Sequence, residues 1–341
     1  MSEAIAKPTP LIIGHEWAVN LIKRSLARNR LAHAYLFVGP PRIGKTTLAL
    51  FLAQAVNCLD EGSRPCGVCL ACQKIGQGLH PAVRVIDEEG SSIKIDQIRA
   101  LQSEAVLSPF EGRQRVYILC NFQKATMEAA NCLLKTLEEP PPNVLLILTA
   151  VQVENLLPTI VSRCQVLNLR SLAVRQVEQA LKTYWGVEPY QARLLARLSG
   201  GRIGWAIEAC SNEALLRERE KYLVALEQAL GQKRTERMRL AQQLSQFPEI
   251  LPELLDLWQN WWRDLLLAKS GNIQAVTNVD REQTVLHESQ QYTLNEIWAC
   301  LRALERAAKQ IEQNVNPCLA LEVLLLSLPH RSEGEVGVII A

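Results

Sequence analysis

The chain has no apolar run long enough for a bilayer: its longest uncharged one, residues 144–151, falls far short of the roughly 20 residues a membrane helix requires. An excess of positive charge is missing too. A net charge of +2 over 341 residues does not describe a protein that binds nucleic acid through a broad basic face, so any contact with DNA is local or shared with partners, and charge neither proves nor excludes such a role. The five histidines have no metal-ligand spacing, there is no internal repeat or low-complexity tract, and no secretory signal stands at the start. Six cysteines, at 120, 132, 164, 210, 300 and 318, sit singly in apolar contexts. With the missing signal, they point to buried thiols in a reducing cytosol. What remains, 48% hydrophobic and 21% charged, is the composition of a soluble globular protein of two or three domains.

Against these absences stands an unbroken phosphate-binding loop, Gly39-Pro40-Pro41-Arg42-Ile43-Gly44-Lys45-Thr46. The apolar run Ala34–Val38 precedes it as a buried strand and residues 46–53 follow as a helix, which is the setting the motif requires. In that setting Gly39 and Gly44 let the backbone turn around phosphate, and the helix N-terminus presents N–H groups to the anion. Lys45 reaches the terminal phosphates, Thr46 offers a hydroxyl to Mg²⁺, and Thr47 completes the binding set. ATP or ADP is the implied ligand.

Hydrolysis needs a carboxylate at the end of a neighbouring strand to hold the metal and a group to prime the water. The strand expected to supply them, Arg115–Asn121, ends in Cys120-Asn121. A thiol is a poor ligand for a hard cation, and an amide takes no proton from water. The alternative strand, Val83–Glu89, does end in acids but follows the loop too closely. The expectation is a chain that holds nucleotide, with or without Mg²⁺, and has no ATPase of its own.

Cys58, Cys66, Cys69 and Cys72 form C-x7-C-x2-C-x2-C in a Gly- and Pro-containing segment, the spacing of a closed, structural zinc site. Disulfides and free thiols are the alternatives. Around this segment, strands at 34–38, 83–86, 116–120 and 144–149 alternate with helices at Glu16–Arg28, 45–57, Ile95–Leu107 and Thr126–Glu138, which spells an α/β parallel sheet. From about residue 170 amphipathic helices take over, broken near Gly200-Gly201, Phe247-Pro248, Gly271-Asn272 and Pro317. Trp258, Trp261 and Trp262, three and four residues apart, predict a helix face packed into a core or subunit interface; a base-stacking surface is the other reading. The charged stretch Arg217–Lys221 reads as solvated helix surface with i,i+4 pairing.

His33–Phe37 before the loop, the four-cysteine insertion, Asn131-Cys132-Leu133-Leu134-Lys135-Thr136-Leu137-Glu138-Glu139-Pro140-Pro141 and Ser162-Arg163-Cys164 together resemble the clamp-loader branch of AAA+ proteins of bacterial DNA polymerase III. The resemblance is dense over residues 11–205. It thins beyond, where Asn314–Glu322 resembles the end of the family's collar. It implies a P-loop AAA+ domain over 1–168 with a zinc-binding insertion at 58–72, a small helical lid over 169–210, an all-α oligomerisation collar over 211–330, and a flexible tail at 331–341. By the same resemblance Arg163 is an arginine finger acting in trans on a neighbour's ATP site. Gly204 stands where motor subunits keep a sensor arginine, Arg202 lies on another side of that helix, and Thr149 is the polar candidate at the end of strand 144–149.

The implied role is a stator-like subunit that helps set the sliding clamp on primed DNA in replication. Its implied partners are tau/gamma-type and delta-type subunits and, through the complex, clamp and DNA. The alternatives are an autonomous ATP-hydrolysing motor subunit, or a zinc-bearing DNA-binding module with a vestigial loop.

Overall fold

The structure, a computed structural model, describes residues 11–90, 92–106, 111–313 and 315–329. It divides into two compact units, one of residues up to Ala180 with Gly201–Trp205, the other of Leu181–Gly200 with the residues from Ala206 onward.

In the first unit α1 (Glu16–Ala27), β1 (Ala34–Val38), α2 (Lys45–Asn57), α3 (Leu70–Gly76), β2 (Val83–Ile86), α4 (Ile95–Ala105), β3 (Arg115–Leu119), α5 (Met127–Glu138), β4 (Val144–Ala150), α6 (Pro158–Val161) and β5 (Gln165–Asn168) follow one another. The five strands are all parallel, in the order β2-β3-β4-β1-β5. Strand periodicity splits β1 between two cores. Leu36 and Val38 join Ile98, Leu101, Leu133 and Leu137 from α4 and α5, whereas Tyr35 and Phe37 join Ile22 of α1 and Leu48 and Leu52 of α2. All seven residues of β4 are buried, as expected of a central strand covered on both faces.

The helices and strands expected from the sequence are present, with ends shifted by a residue or two. Thr126 lies outside α5 and caps it, its Oγ1 accepting the Ala129 N–H at 3.2 Å. Leu107 and the tail at 331–341 lie outside the described residues. Three elements of this unit were not expected, among them the one-turn α6. The cysteine segment contains α3, and β5 adds a fifth strand beside β1, too short and polar to show a pattern of its own.

Helices α7 (Val174–Trp185) and α9 (Ile203–Ser211) each contribute to both units. The second unit continues with α8 (Pro189–Leu198), α10 (Glu213–Gly231), α11 (Arg234–Ser245), α12 (Leu251–Lys269), α13 (Glu282–Gln291), α14 (Leu294–Glu312) and α15 (Pro317–Ser327). Its core contains the tryptophans of α12: Trp258 and Trp262 expose nothing and Trp261 almost nothing, so they pack rather than stack on bases. Two of the three polar edges are used internally, Trp258 Nε1 donating to Tyr222 O at 2.8 Å and Trp261 Nε1 to Glu288 Oε2 at 3.2 Å.

The Arg217–Lys221 stretch is not uniformly solvated. Arg219 is buried and donates to both carboxylate oxygens of Asp280, at 2.7 and 3.0 Å, and to Asn278 Oδ1 at 2.6 Å. Asn278 in turn donates through its backbone N–H and Nδ2 to the fully buried Asp264. A buried charge is tolerable only inside such a network, which the sequence pattern alone did not reveal.

Candidate functional site

The phosphate loop leaves β1 at Gly39 and enters α2 at Lys45. Gly44 occupies the N-cap at φ +105°, a conformation side chains resist, and no side chain caps the N–H groups behind it. Those groups and the helix dipole leave the start of α2 suited to an anion. Lys45 is buried and folds across the loop, its Nζ donating to Gly39 O at 2.6 Å and Pro40 O at 2.8 Å. Burial lowers its pKa to about 8. Thr46 is exposed next to it, and Thr47 is half-buried on the following position.

The Thr46 hydroxyl lies 3.8 Å from Cys120 Sγ. This contact selects β3 as the strand that faces the loop and answers the question of which strand end matters. Burial raises the Cys120 thiol, so it stays protonated and offers no anionic ligand. Asn121 follows at φ +49°, and its N–H donates to the buried Thr149 hydroxyl at 2.9 Å. Thr149 is thereby occupied between strand ends. The acids after β2 sit at the sheet edge, one strand farther from the loop than β3. Asp87 is exposed, and Glu88 pairs with Lys124.

Gly204, at the start of α9, has a physical reason to be glycine. Its N–H donates to Arg42 O at 2.8 Å, and a Cβ there would meet the same oxygen at 2.6 Å. An arginine could not occupy position 204 without displacing the loop. A residue that the sequence did not single out also braces the loop: buried His15 places Nε2 3.3 Å from Ile43 O, and burial lowers its pKa. That contact spans 28 positions and has no local signature.

Arg163 follows α6 and precedes β5. It pairs with Glu138 at 2.7 Å and donates to Thr159 O at 3.0 Å, with about a third of the side chain exposed. Its neighbour Cys164 is a partly buried thiol packed against the core, pushed up to about 12 by burial.

The four cysteine sulfurs converge, all within 4.8 Å of one another. A tetrahedron with Zn–S bonds of about 2.3 Å has edges of roughly 3.8 Å, so the cluster is of a size to hold a metal ion. All ten cysteines are free thiols in this structure. Backbone N–H groups point at the sulfurs, from Cys66 to Cys58 at 3.4 Å, Cys69 to Cys66 at 3.3 Å and Cys72 to Cys69 at 3.5 Å. Burial raises the Cys58 and Cys72 thiols. At Cys69 the same penalty is outweighed by N–H groups of Cys72 and Leu59 and by the adjoining thiols, which bring it to about 6. The cluster is tied to α2, where Gln54 Nε2 donates to Cys72 O at 2.7 Å.

Comparison with known proteins identifies the family of the chain. The family described as "DNA polymerase III, delta subunit" matches residues 14–173. DNA polymerase III subunit delta' of Bacillus subtilis is 33% identical over 316 residues, covering 91% of this chain and 94% of its own length. DNA polymerase III subunit tau of Escherichia coli is 35% identical over 199 residues, but covers only 56% of this chain and 31% of tau. Among solved structures, the Holliday junction branch migration motor RuvB of Thermotoga maritima superposes at TM-score 0.41 with 18% identity, over 65% of this chain and 67% of its own. With a full-length relative at this identity, the chain belongs to the AAA+ clamp-loader family, among the delta-prime subunits of DNA polymerase III.

Proposed function

We propose that this chain works in the clamp loader as a partner of ATPase subunits and turns over no ATP itself. The observation that carries the reading is the 3.8 Å approach of a neutral Cys120 thiol to the Thr46 hydroxyl, in the place where hydrolysis needs a metal-holding carboxylate. Gly39, Gly44, Lys45, Thr46 and Thr47 would bind ATP or ADP statically. Without a carboxylate opposite Thr46, Mg²⁺ adds little to that binding.

Arg163 then supplies what the chain cannot use. Its pairing with Glu138 is half-exposed and worth of order 1 kcal/mol or less, so the guanidinium can exchange Glu138 for a phosphate on a neighbouring subunit. Arginines so placed are worth on the order of 10³ to 10⁵ in phosphoryl-transfer rate. The four cysteines would hold zinc, which contributes folding energy rather than chemistry because no coordination position stays open.

The role places the chain in the cytosol, beside tau/gamma-type and delta-type subunits that together set a sliding clamp on primed DNA. Among the described residues no helix is long and apolar enough to cross a membrane. Residues 1–168 form the nucleotide domain in this reading, 169–210 a lid and 211–330 the collar that joins the ring.

The test is Arg163→Ala in the complex reconstituted with the ATPase subunits. Assembly should persist while ATP turnover falls; unchanged turnover removes the finger from the reading.

A further inference from the structure

The solvent face of α1 carries a local concentration of positive charge that the net charge of the chain conceals. No aspartate or glutamate occurs from residue 17 to residue 59, and within that stretch Lys23, Arg24, Arg28 and Arg30 crowd the end of the helix. All four are exposed, and among the described residues none of them is hydrogen-bonded or ion-paired through its side chain. The acid that precedes them, Glu16, is engaged with the Gly14 N–H at 3.0 Å.

Helix capping does not account for these cations. The chain leaves α1 through a left-handed Asn29 at φ +49°, with the Arg30 N–H on Ser25 O at 2.9 Å and the Asn29 N–H on Leu26 O at 3.1 Å. Backbone groups thus meet the terminal carbonyls. The helix dipole favours a cation in its last turn, but Arg24 and Arg28 are four positions apart, and a like-charged pair at that spacing weakens a helix. The repulsion is relieved only by an anion brought from outside.

An aromatic ring lies on the same row. At about 100° per residue, Arg24 and Arg28 fall within roughly 20° of Trp17 on α1. Trp17 is 48% exposed, unlike the three tryptophans of α12, and no other large apolar side chain is exposed before Leu59. Trp17 also walls a cavity of about 510 Å³ together with Asn168 and Arg170, at and just beyond the end of β5. Arg170 is exposed and, among the described residues, without an ion-pair partner.

These groups select among anionic partners. An interface with a protein is built around a desolvated apolar centre, whereas from Asn20 to Arg30 the exposed positions hold only cations, asparagine and alanine. A phosphodiester backbone needs no apolar centre, and forked arginine donors suit it. The exposed indole suits the face of a base, which is open in a single strand and covered in a duplex.

We propose that the outer face of α1 binds single-stranded nucleic acid. Lys23, Arg24, Arg28 and Arg30 neutralise phosphates, Trp17 stacks on a base, and Arg170 carries the strand on past the end of β5. The site needs neither bound ATP nor a neighbouring subunit.

The test is fluorescence anisotropy of a labelled oligothymidylate of about 15 nucleotides, titrated with the full-length, zinc-loaded chain at about 50 and about 200 mM salt. A duplex of the same length and a polyglutamate peptide serve as comparisons. Four phosphate contacts predict a slope of about −3 for log affinity against log salt. At the higher salt the duplex and the peptide should bind at least about fivefold more weakly, since neither offers an open base. Arg24→Gln combined with Arg28→Gln, both at exposed positions, should lose at least about tenfold in affinity and flatten the slope by about 1.4, and lysine at both positions should restore the slope. Trp17→Ala should lose about tenfold with the slope unchanged. Saturating ATP should leave the strand bound.

The assignment is overturned if the double glutamine variant or Trp17→Ala binds as tightly as the wild type. Competition by ATP would overturn it by placing the strand in the phosphate loop, and equal binding of the duplex or the peptide would reduce the face to a general polyanion surface.

Discussion

Where β3 ends, a protonated thiol meets the Thr46 hydroxyl, and the loop beside it spells the complete phosphate-binding motif. Removing Mg²⁺ with a chelator should therefore leave the affinity of the chain for a fluorescent ATP analogue almost unchanged. Cys120→Asp, which places a hard oxygen opposite Thr46, should make that affinity depend on Mg²⁺. Lys45 gives a second handle. Its pKa of about 8 lies below the 10.5 of a free lysine, so the charge that attracts phosphate is present below pH 8 and is lost as pH rises through it. Nucleotide affinity should fall by up to about tenfold per pH unit above 8, and Lys45→Met should flatten the profile at a low affinity. The sign for stability is opposite. Between about 8 and 10.5 the unfolded chain binds the extra proton, so the unfavourable burial of this lysine fades as pH rises. A wild-type affinity constant across pH 7 to 10 would show that Lys45 does not touch the ligand.

Among the elements, α2 links the two candidate sites. Its first turn carries Lys45 and Thr46; near its end Gln54 holds Cys72, and Asn57 Oδ1 accepts the N–H groups of Arg113 and Gln114 at 2.8 and 2.9 Å. Metal analysis of protein purified under reducing conditions should find one zinc per chain. Stripping it should open residues 58–72 to proteolysis while nucleotide binding survives, because α2 is also packed against the sheet through Leu48 and Leu52. In the second unit, Arg237 on α11 donates to the carbonyls of Leu325, Leu328, Pro329, Leu230 and Gln232 with little exposure, closing the C-terminal end of α15. Arg237→Met should destabilise this unit by roughly 2–4 kcal/mol in denaturant unfolding, since it orphans buried carbonyls.

These elements also show how far the sequence could be read. The strand, glycine turn and helix over residues 34–57 were legible because hydrophobic periodicity and the motif agreed at each position. Convergence of the cysteines was legible from spacing alone. What escaped was decided by tertiary contact: β5 is a strand because the edge of β1 pairs with it, and Arg219 is buried because Asp280, 61 positions away, receives it. His15 escaped for the same reason, since only the fold brings Ile43 to it.

For the whole molecule, the account is a division of labour. In the proposed reading the chain would hold a nucleotide that it does not cleave, and Arg163, which stands in a half-exposed ion pair with Glu138, would be given up to a neighbouring ATP site. The glycine at 204 fits this division, because the approach of α9 to Arg42 O leaves no room for a sensor arginine. Gly204→Arg should therefore weaken nucleotide binding by displacing the loop, and should confer no hydrolysis. The most direct measurement is phosphate release from ATP by the purified chain alone, with Mg²⁺ in excess and Lys45→Ala as control. Release indistinguishable from the control is the result expected; Lys45-dependent turnover at about 1 s⁻¹ or faster, the range of working enzymes, would contradict the account.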